Sequence, residues 1–111
     1  MEERVISSKT YYEGRLLKFK VDEVQIQGKE YARAVVDHPG SVAVVPFIDS
    51  SRILMIKQYR HPVRETILEI PAGTLEKNEK PHTCARRELE EETGYTPGRL
   101  RRIGSLYLAP G

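Results

Sequence analysis

The sequence predicts an α/β fold of the α+β kind, and three observations predict it. Short segments rich in β-branched and aromatic residues alternate with Gly, Pro and Asp/Ser turns up to residue 70. One amphipathic segment follows, opened by Pro81 and closed by Gly94. A last apolar segment, 101–108, reads as one more strand.

Segment 16–26 alternates in two pieces, with Leu17, Phe19 and Val21 on one parity and Val24 and Ile26 on the other. The change of parity predicts a bulge near Asp22 and Glu23. Gly28 separates this run from 31–36, and together they predict a hairpin. His38-Pro39-Gly40 is a turn, after which 41–47 and 53–56 read as buried strands joined through Asp49-Ser50-Ser51. Segment 66–70 is a short strand leading into a Pro71-Ala72-Gly73 turn. Pro81, whose missing N–H costs nothing in a first turn, and Gly94, suited to a left-handed position, bracket a helix over 81–93. Its apolar side is Ala85 and Leu89, with Cys84 beside them. The predicted organisation is an amino-terminal antiparallel β piece, 1–40, ahead of a core, 41–111.

Composition excludes several classes. With 39% hydrophobic and 31% charged residues the chain is an ordinary globular sequence, and its 111 residues bound it to a single domain with a modest core. A net charge of +2 gives no strong field for nucleic acid or membrane. The local basic patch of Arg99, Arg101 and Arg102 reads as an exposed strand face. The lone Cys84 excludes an internal disulfide, and the amino terminus lacks a signal-peptide apolar run, so a reducing, cytoplasmic home is expected. No stretch is long enough to span a bilayer. His38 and His61 precede prolines, His82 sits in the first helical turn, and their spacing resembles no zinc site, so all three read as structural or exposed.

The chemistry concentrates in 73–95. Glu88 and Glu91 are three residues apart and Glu88 and Glu92 four apart, so a helix projects all three from one face, which the sequence predicts to line a cleft. Like charges so placed repel by roughly 0.2–0.5 kcal/mol per pair in water, and more as they leave solvent. A hard divalent ion such as Mg²⁺ or Mn²⁺ relieves that repulsion and keeps room for water and phosphate. The competing reading is a solvated helix face laced by pairs such as Arg87 with Glu91. What decides between the two is the upstream Gly73 and Glu79, which stand at the offsets of the family motif that this segment resembles.

These residues carry a resemblance. Gly73, five residues, Glu79, seven residues, then Arg87-Glu88-Leu89-Glu90-Glu91-Glu92-Thr93-Gly94 resembles the Nudix box of pyrophosphohydrolases. Every fixed position is present, and only Tyr95 departs, where an aliphatic residue is usual. The resemblance implies an α/β/α sandwich with a mixed sheet and metal-dependent hydrolysis of a diphosphate joining a nucleoside to a second group. It implies catalytic, metal-binding roles for Glu88, Glu91 and Glu92, joined by the backbone carbonyl of Ala72. Gly73, Glu79, Arg87 and Gly94 take structural roles, with Glu79 and Arg87 holding the loop against the helix.

The preface narrows this. Tyr31-Ala32-Arg33-Ala34-Val35-Val36-Asp37-His38-Pro39-Gly40-Ser41-Val42, then Gln58-Tyr59-Arg60 and Glu69-Ile70-Pro71-Ala72-Gly73, is similar to ADP-ribose pyrophosphatases and their ADP-sugar relatives, as is Pro110 about sixteen residues beyond the box. Ala34 departs from that pattern where many relatives have Glu. The resemblance implies a nucleotide-sugar substrate, with ADP-ribose giving AMP and ribose 5-phosphate. It implies substrate contacts from Arg33 and Glu65 and a homodimer formed by exchange of the 1–40 piece. Arg60 is the candidate phosphate clamp, because a guanidinium binds such oxygens in bidentate fashion. The chain stops at Pro110-Gly111, where relatives enter a loop that often carries another glutamate, so a fragment lacking the carboxyl-terminal part of the fold is expected. Two alternatives follow from these features: a nucleotide-binding module impaired in turnover, and an RNA-end pyrophosphohydrolase using the Arg99 patch.

Overall fold

A computed structural model describes all residues from Met1 to Gly111. The chain divides into two compact units, Met1–Gly40 and Ser41–Gly111.

The first unit is a three-stranded antiparallel sheet in the order β1-β2-β3, built from Arg4–Glu13 (β1), Lys18–Ile26 (β2) and Lys29–Asp37 (β3). The β2–β3 hairpin expected from Gly28 is present. Gln27 (φ 49°) and Gly28 (φ 78°) both take positive φ, the conformation whose twist matches that of the strands it joins. The bulge expected in β2 near Asp22 is instead in its partner. β2 keeps unbroken register with β3, while β1 slips between Val5 and Ser7 and between Thr10 and Tyr12. Asp22 and Val24 both turn to the covered face, where Asp22 is held by the Ser8 hydroxyl at 2.6 Å and Lys20 at 3.4 Å. β1 itself was not expected as an element. Every one of its residues is exposed, so it carries no inside–outside alternation.

The second unit combines two strand pairs with one helix. Ser41–Ala43 (β4) pairs antiparallel with Ala72–Thr74 (β7), and Ile56–Arg60 (β5) pairs antiparallel with Glu65–Glu69 (β6). Pro81–Thr93 (α1) packs on β7 and β4. The α+β class predicted from the sequence is the one observed. Its helical content is α1 alone, and the four strand pairings are all antiparallel.

Several elements differ from expectation. The strand expected over 41–47 stops at Ala43, because Pro46 has no N–H to give a ladder. Its continuation turns back through Phe47, bridged to Ile53, with the Leu54 N–H donating to the Pro46 carbonyl at 2.9 Å. The 53–56 strand therefore begins only at Ile56, and Phe47 is exposed, not buried. Gly73 lies within β7 and not in a turn. No strand forms over 101–108: Ile103, Leu106, Tyr107 and Leu108 are all exposed, and no strand of the chain pairs with them. A single unpaired strand has no ladder to satisfy its backbone groups.

The helix is bounded as predicted. Pro81 fills its first turn, and Gly94 (φ 76°) takes the left-handed cap with its N–H on the Glu90 carbonyl at 2.9 Å. Cys84, Ala85 and Leu89 are its buried residues, and sealing Leu89 contributes about 1.5–3 kcal/mol. Glu88 and Glu92 border that packed side and are partly buried, while Glu91 is exposed.

Candidate functional site

The loop before α1 is tied down by one arginine. Arg87 donates from Nε to Glu79 Oε2 and from Nη2 to Glu79 Oε1, both at 2.9 Å, and from Nη2 to the Thr74 carbonyl at 3.2 Å. Glu79 also accepts from the Glu76 N–H at 3.1 Å. The Arg87 fork is the main reason the Glu79 carboxyl is held down at about 2, against an ordinary 4.5. Arg87, in return, is held protonated above its usual range.

The same arginine reaches the ridge. Its Nη1 donates to Glu88 at 2.7 Å and to Glu91 at 3.3 Å. The three ridge acids are not equivalent. Glu88 and Glu92 turn inward toward β7, whereas Glu91, rotated by about 60° from Glu88, is exposed. Glu88 lies across Gly73: a Cβ there would sit 1.9 Å from Glu88 Cδ. Gly73 is required by this close approach. Glu92 accepts the Ala72 N–H at 3.1 Å, which fixes it over β7.

Glu92 is the electrostatic opposite of Glu79. Burial chiefly raises its pKa, and the charges of Glu88 and Glu69 raise it further, against the Ala72 hydrogen bond and the charge of Arg60. Whether this set suits a divalent ion turns on donor type, charge and number. The donors are carboxylate oxygens, the class that hard cations prefer, and Glu92 among them has no ion-pair partner and has its pKa raised chiefly by burial. As they stand, no three His, Cys, Asp or Glu side chains gather into a cage. Mg²⁺ needs none: one or two carboxylates with water and phosphate oxygens satisfy it. Glu88 and Glu92 therefore fit such an ion, and Glu91 would join them on leaving Arg87.

The expected cleft is different in character. A hollow of ≈ 370 Å³ in this unit is lined by apolar groups including Pro46, Phe47, Leu54, Leu89 and Tyr95, and by none of the ridge carboxylates. The acids lie along the β7 edge of α1.

Arg60, at the end of β5, is forked onto Glu69 through Nε and Nη2, each at 2.7 Å. Glu65 is exposed at the start of β6. Arg33 belongs to the other unit, where it is forked onto Glu3 at 3.0 Å with its guanidinium 5.5 Å from the Tyr31 ring centre. Sequence reasoning quoted Glu69 within a motif and gave it no role. The signal available was its place in a short cross-strand hairpin with Arg60. His38 is structural, its Nδ1 accepting the Gly40 N–H at 3.0 Å. Cys84 is fully buried, and burial pushes its thiol up to about 11.

No helix of the chain is long and apolar enough to cross a membrane. The NUDIX domain family matches residues 37–110. The chain is 46% identical to an ADP-ribose pyrophosphatase of Bacillus subtilis (strain 168), covering 100% of this chain and 60% of that protein. It is 43% identical to a methanol dehydrogenase activator of Bacillus methanolicus, covering 99% of this chain and 60% of that protein. It is 39% identical to an ADP-ribose pyrophosphatase of Mycobacterium tuberculosis, covering 96% of this chain and 52% of that protein. Its fold is that of a crystal structure of an ADP compounds hydrolase, with a TM-score of 0.84 at 21% identity over 99% of this chain and 60% of that one. The chain thus spans about 60% of the length of the first two relatives.

Proposed function

The chain belongs to the Nudix family, and from that premise we propose that it takes part in hydrolysing a nucleoside diphosphate linked to a second group, foremost ADP-ribose to AMP and ribose 5-phosphate. The observation that carries this reading is the pair of inward carboxylates, Glu88 against Gly73 and Glu92 on the Ala72 N–H, of which Glu92 has no ion-pair partner and has its pKa raised by burial and by its acidic neighbours.

A divalent ion, Mg²⁺ or Mn²⁺, would supply charge neutralisation at the diphosphate oxygens and acidify bound water. Glu88 and Glu92 anchor that charge, with Glu91 and the Ala72 carbonyl as further oxygen donors. Arg87 keeps Glu88 oriented while its other edge clamps Glu79 and the Thr74 carbonyl. Arg60 offers donors to a phosphate, and Arg33 and Glu65 are assigned to substrate contact. The buried, unpaired Cys84 thiol supports a reducing cytoplasmic setting. A homodimer through the first unit is supported by its exposed Val5, Ile6, Tyr11 and Tyr12.

The test is product analysis of ADP-ribose and a panel of other nucleoside diphosphate compounds with Mg²⁺ and with Mn²⁺. Release of AMP and ribose 5-phosphate in equal amounts is expected. Absence of AMP with both ions overturns the reading. Metal-dependent binding of ADP-ribose without AMP would identify a binding module instead.

A further inference from the structure

We propose that Glu69 is a positioning residue for Arg60: its carboxylate takes one edge of the guanidinium and presents the other edge to a phosphate of the substrate. This rests on the reading above that the site receives a diphosphate.

The hairpin geometry shows that the pairing is selective. In the β5–β6 register Arg60 stands opposite Glu65, and Glu69 stands opposite Ile56 at the far end. Cross-strand partners and alternate residues share one face, so Ile56, Gln58, Arg60, Glu65, Ile67 and Glu69 lie together. Arg60 bypasses the carboxylate directly opposite and lies back along the strand to reach Glu69. Gln58, between them on that face, has its Oε1 buried with no hydrogen-bond partner, so Arg60 does not donate to it. The fork onto Glu69 is therefore preferred over nearer acceptors. Two contacts of 2.7 Å are short, charge-assisted bonds.

The fork leaves donors over. A guanidinium has five N–H groups, and Glu69 uses those on the Nε/Nη2 edge. The Nη1/Nη2 edge is a second bidentate face, and Arg60 makes no other side-chain hydrogen bond. The backbone is fixed as well, because the Arg60 carbonyl accepts from Val63 and Arg64 at 3.2 and 2.8 Å in the turn. Glu69 stands three residues before Ala72, whose N–H holds Glu92, so the fork brings the guanidinium to the segment that carries the acid ridge, and Arg60 and Glu92 each favour the other's charged form. An anion bridging the ridge and Arg60 would meet a guanidinium already held in one orientation, so less rotamer freedom is lost on binding.

Calorimetric titration of the protein with ADP in the presence of a chelator tests this apart from turnover, alongside steady-state hydrolysis of ADP-ribose with Mg²⁺. Glu69→Gln should weaken ADP binding roughly tenfold and raise KM more than it lowers kcat. Arg60→Ala should weaken binding at least as much, and adding Glu69→Gln to it should change nothing further. A thermal melt accompanies each variant, and Glu69→Asp, which keeps the charge and shortens the reach, carries the same readout if Glu69→Gln does not fold. Tighter ADP binding by Glu69→Gln would show that the carboxylate competes with phosphate, and overturns the proposal. Unchanged binding, additive losses, or a wild-type protein that does not bind ADP overturn it equally. Binding through Arg60 and Glu69 without AMP release sinks the hydrolase reading and leaves this one standing.

Discussion

Glu79 and Glu92 flank the same helix, both partly buried, and their environments push them in opposite directions. Glu79 has a full guanidinium fork and a backbone N–H, and its carboxyl sits near 2. Glu92 has one backbone N–H, two acidic neighbours and burial, and its pKa is raised. Where the fold needs a carboxylate for architecture it supplies the countercharge internally. On the ridge Arg87 pairs with Glu88 and Glu91 but not with Glu92, and Glu92 is where a divalent ion and a phosphate would supply the countercharge.

The sharpest way to break this contrast is Glu92→Gln. Metal-dependent hydrolysis should fall by roughly 10²–10³-fold, while the metal-free protein melts at the same or a higher temperature because an under-neutralised charge is gone. A lower melting point with turnover retained would make Glu92 a structural acid like Glu79. Next in size is a pair of glycine substitutions that separate site from scaffold. Gly73→Ala puts a methyl 1.9 Å from Glu88 Cδ and 2.3 Å from Cγ, so Glu88 must swing away and activity should fall about ten- to hundredfold. Gly94→Ala meets no atom but forces φ 76° on an L-residue, and should cost about 1–2 kcal/mol in a denaturant melt with turnover per folded molecule unchanged. If the two variants behave alike, Gly73 is conformational and the close approach is incidental.

The regions differ in how legible they were. α1 could be read to the residue, because Pro81 and Gly94 are local signals and Ala85 and Leu89 mark its inward side. The Gly28 hairpin was legible for the same reason. β1 was not, since an edge strand exposed on both faces leaves no period in the sequence, and only its Val, Ile, Thr and Tyr content hinted at it. The inequality of the three ridge glutamates was hidden too. Spacing places Glu88, Glu91 and Glu92 on one flank, but which of them turns inward depends on Gly73 and Ala72 in β7, distant in sequence. The fork from Arg60 to Glu69 is likewise set by cross-strand register, which no single segment reveals.

Glu79→Gln gives the smallest and most diagnostic effect, because its sign depends on pH. The folded carboxyl titrates near 2 and the unfolded one near its ordinary 4.5, so its contribution is complete above 4.5 and is lost as pH falls through about 2. The melting temperature of Glu79→Gln should therefore lie a few degrees below wild type at neutral pH, with the gap closing as pH drops toward 2. Glu92 runs the other way: its raised pKa means that ionisation costs stability above the unfolded value and that acid relieves the cost. The gap between wild type and Glu92→Gln should shift in favour of wild type as pH falls from neutral to about 4.5, before the Glu79 gap begins to close below 4.5. Thermal melts of the three proteins from pH 7 to 2.5 read both trends at once. Parallel curves would mean that the two carboxyls feel the same surroundings, and the division between clamp and ridge would fail.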